Sequence, residues 1–175
     1  MPPMKDHYLV IYILIQVVNQ LLHCNVYPQF NAGLRDKYPF VTYSWIDAGS
    51  NTTMDDMGEM EVTLQIDVQA TDQYQALEMI TSLHKALKWS YGYRRYFKQA
   101  HIIPHSVSGT NAKPSYGYGA VISDYWFECS FSLYDLGTIY KPEDLNFVFN
   151  ESIIESIKAM NTMNGTSIKT SKEDK

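Results

Sequence analysis

His101 and His105 stand four residues apart, so an extended segment would carry both on one face. With Cys129 or Asp67 they form a candidate metal set, because imidazole, thiolate and carboxylate are the usual ligands of a divalent transition metal. Pro104 lies between the two histidines and no ligand motif supports them, so ordinary exposed histidines are the simpler reading. Glu59 and Glu61 flank the start of an alternating segment, and Asp55 and Asp56 sit in a polar stretch just before it. Paired carboxylates can exchange protons with a substrate, but a solvated acidic loop explains these four without any chemistry. Cys24 closes an apolar segment with no base at a readable spacing and reads as a small buried residue. No glycine pattern ends in the Lys-Ser/Thr pair of a phosphate loop. The expectation is a protein with no catalytic residue, no metal and no cofactor, and therefore not an enzyme.

The densest group of functional side chains is Trp89, Tyr91, Tyr93, Arg94, Arg95, Tyr96 and Phe97. Arginine and tyrosine are enriched where proteins dock, and stacked tyrosines also suit nucleic acid. Against that stands a plainer arrangement, arginine stems lying over exposed aromatic rings. Tyr91, Tyr93, Arg94 and Arg95 are the candidate protein-interface residues. Charge weighs against a gripped nucleic acid: 14 basic residues face 19 acidic ones, a net charge of −5. Phosphate neutralisation supplies most nucleic-acid affinity, and it needs a basic excess.

These residues are positioned by elements that can be read in order. The 175-residue length fits one domain, expected over residues 1–163, with a polar, disordered tail over 164–175. Two cysteines, Cys24 and Cys129, in no metal-like spacing read as thiols in a reducing compartment. The run from Tyr8 to Ile15 is apolar, but Gln16, Asn19 and Gln20 interrupt its continuation. A membrane span needs ~20 mostly apolar residues, so this segment is expected to be a buried helix over residues 6–23, with Asp6 as its cap. A turn region follows from Asn25 to Lys37. A strand is expected from Tyr38 to Ile46 and a flexible acidic loop from Asp47 to Glu59.

Met60 to Ala70 alternates throughout. Met60, Val62, Leu64, Ile66, Val68 and Ala70 form one face, and Glu61, Thr63, Gln65, Asp67 and Gln69 form the other. Successive strand side chains point to opposite faces, so this predicts a sheet with one covered and one wet face, on the order of 35 Å long. Asp72 and Gln75 resemble a capping box opening a helix. Its apolar stripe is read as Tyr74, Leu77, Ile80, Leu83 and Leu87, with Ala76 and Ala86 filling in, packed back across the sheet. A weak strand is expected from Lys98 to Ile103, stopped by Pro104, and Gly109, Pro114, Gly117 and Gly119 suggest a loop. A long strand follows over Val121 to Leu136, with Tyr125, Phe127, Cys129, Phe131 and Leu133 on its apolar side. Pro142 is expected to open a last helix running through Leu145, Val148, Phe149, Ile153 and Ile157. The fold class is thus α+β: a mixed or antiparallel sheet of about four strands, with helices packed on one face.

This order resembles the tail terminator, or neck and tail-completion, proteins of long-tailed bacteriophages. The resemblance is carried by HYLVIYILIQVVNQLL, by the strand KYPFVTYSWI, by MEVTLQIDVQATDQYQALEMITSLHKAL, and by the late strand DYWFECSFSLYDL. Within the third piece Asp67, Val68, Ala70 and Asp72 match the family's strand-to-helix stretch. The likeness spans about residues 5–136 and is one of order and composition. It implies a tail-terminator-like fold that assembles as a homo-hexameric ring. Such a ring caps the tail tube, stops its polymerisation, and offers a surface to the head–tail connector or stopper protein. The implied place is the tail or neck of a virion assembled in the host cytoplasm, with no membrane partner and DNA only as a passing strand. Asp55, Asp56 and Glu59 are then candidate lumen-loop residues that repel phosphate. Other readings are another connector, completion or tail tube protein, or a small bacterial ligand-binding or nucleic-acid-binding domain.

Overall fold

The computed structural model describes residues 4–30, 38–51, 58–88, 93–117 and 120–145. The chain order is α1 (Asp6–Leu22), β1 (Val26–Pro28), β2 (Phe40–Asn51), β3 (Met60–Ala70), α2 (Gln73–Lys88), α3 (Arg94–Gln99), β4 (Ile102–Val107), β5 (Asn111–Gly117) and β6 (Ala120–Leu133). The architecture is α+β, but among the described residues the sheet has six strands rather than about four, in the order β1-β2-β3-β6-β4, with β5 also paired to β6. It is mixed: β1 runs parallel to β2, and every other pairing is antiparallel. The helix expected after Pro142 and the polar tail lie outside the described residues, save that Lys141 to Leu145 form a turn closed by Asp144. Among the described residues no helix is long and apolar enough to cross a membrane.

Alternation in β3 does what the sequence requires of it. Val62, Leu64, Ile66, Val68 and Ala70 are buried beneath the helices, together with Val41 of β2 and Phe127, Cys129, Phe131 and Leu133 of β6. Their burial against α1, α2 and α3 is the main folding drive, at about 1.5–3 kcal/mol for each large side chain. α1 buries Leu9, Val10, Ile11, Ile13, Leu14, Val17 and Val18, which surround most of its circumference, as expected of a helix covered on more than one side.

Several expectations are corrected. Asp6 does not cap α1: Lys5 holds the cap position without a side-chain bond, and the Asp6 carboxylate instead accepts the Gly137 N–H at 2.8 Å. Tertiary contact with the turn after β6 outcompetes the local cap. β2 runs on to Asn51, well into the expected loop, because register shifts at Trp45/Asp47 and Asp47/Ser50 let a polar, glycine-containing stretch stay paired with β3. In α2 the Asp72 cap holds, with Oδ1 accepting the Gln75 N–H at 2.7 Å. The buried stripe, however, is Ala76, Met79, Ile80, Leu83, Ala86 and Leu87, while Tyr74 and Leu77 are exposed. Small alanines let the helix approach the sheet, and that approach sets its rotation.

The region read as weak strand then loop is also different. Residues Arg94–Gln99 are helical, and the strand begins at Ile102 and passes through Pro104 to Val107. Pro104 is tolerated because β4 is an edge strand, where a missing N–H costs no ladder bond. Pro28 in β1 and Pro114 in β5 lie in edge strands too. β5 occupies the expected loop and pairs with the first half of β6, as β4 pairs with the second half. Ser108 bridges the gap: its N–H donates to the Glu128 carbonyl and its hydroxyl accepts the Glu128 N–H, both at 2.8 Å. β6 ends at Leu133 rather than Leu136, since Asp135 turns the chain at φ 57.

Candidate functional site

Residues 93–97 fold inward. Tyr93, Tyr96 and Phe97, spaced as one helix face, are buried, and the Phe97 and Phe131 rings lie 5.1 Å apart. Burial pushes the Tyr93 hydroxyl up to about 12, with Tyr96 adding to the shift. Arg94 and Arg95 remain half-buried at the rim. Arg94 Nη1 donates to the Lys88 carbonyl at 3.2 Å, and Arg95 donates to the Tyr96 hydroxyl at 3.0 Å with its guanidinium 5.1 Å from that ring. Of the four proposed interface residues, Tyr93 is therefore core, Arg94 and Arg95 are partly occupied with their own chain, and Tyr91 lies outside the described residues. The i, i+3, i+4 spacing of the three aromatics was the available signal, hidden by the basic residues between them.

Asp55 and Asp56 also lie outside the described residues. Glu59 is half-buried beside Tyr134, whose hydroxyl it holds above the ordinary tyrosine range through their hydrogen bond. Its neighbour Glu61 pairs with His105 at 3.1 Å. His101 pairs instead with Asp135, and the Tyr140 hydroxyl lies 3.3 Å from the same ring nitrogen. The two histidines thus serve two different carboxylates. Cys129 points into the opposite, apolar layer, where burial pushes its thiol up to about 12. Asp67 pairs with Trp126, several rungs from the His105 end. The candidate metal set does not assemble, and among the described residues no three His, Cys, Asp or Glu side chains converge as one. Cys24 is half-buried, its thiol pushed up to about 11 by burial.

What the structure does bring together is the polar sheet face, in two unlike halves. Around Glu61, Thr63 and Gln65 it is half-exposed, edged by exposed Ile46, Ile103 and Tyr134. Thr63 and Ser130 hydroxyls meet across β3 and β6 at 2.9 Å. At the other end Phe40, Thr42, Asp67, Gln69 and Asp124 are buried, so the expectation of a uniformly wet face is corrected. Alternation tells which residues share a face, not what covers it. On the helix side, His84 of α2 reaches the Ser108 carbonyl at 2.7 Å, packs edge-on against Phe127, and is held below the ordinary histidine range by burial.

No protein-family model matches the chain, and no curated protein matches it either.

Proposed function

We propose that the chain is a structural subunit of a phage tail, a terminator that closes as a ring on the tail tube, halts its growth and presents a joining surface to the head-side connector. The observation that supports this reading best is the lopsided sheet. Among the described residues the helices α1, α2 and α3 lie on its apolar face, while the half of the polar face around Glu61 to Gln65 remains open to a neighbour. Exposed Ile46, Ile103 and Tyr134 give that half an apolar border suited to protein contact. The β5–β6 hairpin adds reach: its rungs continue to Gly117 and Ala120, beyond Ser123, the last β6 residue paired with β3. A ring subunit needs two different lateral surfaces, because head-to-tail contacts close only when the rotation fits. The prolines of β1, β4 and β5 discourage indefinite edge-to-edge sheet growth, which suits a closed assembly formed through faces and loops. DNA would pass such a ring without being gripped, consistent with the net charge of −5.

Sedimentation and negative-stain imaging of the full chain, alone and with assembled tail tubes, test this. Rings in solution or on tube ends are expected. A chain that stays monomeric and neither binds tubes nor limits their length refutes the proposal. Asp55→Asn, Asp56→Asn and Glu59→Gln together test the lumen-loop role, with slowed DNA passage or reduced infectivity expected.

A further inference from the structure

At the end of the sheet where β4 begins and β6 stops, three side chains from separate stretches of the chain bring a donor atom to one point. His101 precedes β4, Asp135 follows β6, and Tyr140 lies further on, its backbone tied to Met4 ahead of α1. His101 Nδ1 meets Asp135 Oδ2, and the Tyr140 hydroxyl lies 3.3 Å from the same nitrogen. An imidazole nitrogen, a carboxylate oxygen and a phenol oxygen are thus gathered around one small volume. The tyrosine distinguishes this set from the histidine, cysteine and carboxylate combinations, none of which converges among the described residues.

Main-chain hydrogen bonds fix all three positions. The His101 N–H donates to the Lys98 carbonyl and the His101 carbonyl accepts the Tyr134 N–H, both at 3.1 Å. The Asp135 carbonyl accepts the Thr138 N–H at 3.1 Å, and the Tyr140 N–H donates to the Met4 carbonyl at 2.9 Å. His101 and Asp135 sit at φ 54 and φ 57, a left-handed conformation uncommon outside glycine. Backbone held in such a region gathers at binding sites, where the surroundings enforce it. Both side chains stay open to water, 60% and 54% exposed, so an ion in solution can reach them.

We infer that His101, Asp135 and Tyr140 bind one divalent transition-metal ion of the zinc and copper class, with water completing its coordination. Bonds from zinc to nitrogen and oxygen ligands are about 2.0–2.2 Å, which sets two ligands of a tetrahedral ion about 3.3 Å apart. Tyr140 and His101 already have that separation. Asp135 releases its contact with His101 by turning its side chain, and a cavity of about 10 Å³ lined by Asp6, Asp135, Thr138 and Tyr140 gives it room. The nitrogen donor disfavours calcium and magnesium, which take shells of oxygen, whereas imidazole with oxygen donors suits zinc and copper. The bound ion would staple the start of β4 to the turn after β6. The inference stands apart from the ring reading, since all three ligands belong to one chain.

Equilibrium dialysis of the untagged full chain against micromolar zinc chloride or copper(II) chloride, followed by metal analysis, tests this. One equivalent of either ion is expected, and excess magnesium chloride should not displace it. His101→Asn and Asp135→Asn keep a residue type that tolerates left-handed backbone. Tyr140→Phe keeps the ring and its packing, so it stays informative should the other two disturb the turn. Each of the three is expected to weaken binding at least about tenfold, while His105→Ala binds as the wild type does. The copper form should show a visible phenolate-to-copper absorption that Tyr140→Phe lacks. Zinc should raise the melting midpoint of the wild type and not that of His101→Asn. Less than one equivalent bound overturns the inference, as does undiminished binding in Tyr140→Phe. Loss of binding in His105→Ala also overturns it, since that marks ions held by scattered surface histidines.

Discussion

Replacing Phe97 with alanine separates a core role for α3 from a surface role. Phe97 is fully buried, and its ring lies 5.1 Å from that of Phe131 on β6, which is also fully buried. Truncating a buried phenylalanine removes its transfer free energy and leaves a cavity, together costing about 3–5 kcal/mol. For a domain of this size each kcal/mol lowers the midpoint by about 2–4 °C, so a fall on the order of 10 °C is expected. Thermal unfolding measures the midpoint, and equilibrium urea denaturation followed by tryptophan fluorescence and by far-ultraviolet circular dichroism measures the free energy, with coincident transitions as the check on two-state behaviour. A double-mutant cycle with Phe131→Ala should return a coupling of about 0.5–1.5 kcal/mol for the ring pair. Arg95→Ala is the contrast: the side chain is half-buried, donates to the Tyr96 hydroxyl and lies over that ring, and its loss is expected to cost no more than about 1 kcal/mol. If Phe97→Ala costs less than about 1 kcal/mol while Arg95→Ala abolishes an assembly contact, α3 is a docking element rather than part of the core, and the reasoning fails.

Other positions give sharp expectations. Gly49 has φ +146, and a Cβ there would sit 2.3 Å from Met60 Sδ, so Gly49→Ala should cost about 1–3 kcal/mol, only partly recovered by Met60→Ala because the backbone strain remains. Asp72→Ala removes the α2 cap and should lower stability by about 0.5–2 kcal/mol in the same denaturation assay. Neither cysteine should react with a disulfide reagent at pH 8 in the folded chain. Cys24 should begin to react only as pH approaches its raised value of about 11, and Cys129 only after unfolding; fast labelling of either at pH 8 would contradict their burial.

Strong local patterns were legible without coordinates. The alternation of Met60 to Ala70 and of Tyr125 to Leu133 returned as the central pair β3 and β6, and Asp72 was a cap in fact as well as in sequence. Those segments carry their own period, and one buried face suffices to express it. The candidate site was less legible. Tyr93, Tyr96 and Phe97 share a helix face, yet the arginines between them resemble a docking patch, and only the presence of Phe131 opposite makes the aromatics core.

By itself the sequence determined the class of fold, the apolar face of the sheet, and the helices Asp6–Leu22 and Gln73–Lys88, because hydrophobic period and capping act over a few residues. Only the tertiary structure decided the rest. Residues Asn111–Gly117 have no strand pattern of their own and become β5 because β6 lies alongside to accept their hydrogen bonds. Asp6 leaves its helix cap for Gly137, a partner 131 residues away in the chain. The polar row of β3 is half-exposed at Glu61 and buried at Asp67, since exposure depends on what packs above a strand, and alternation along the strand carries no information about that.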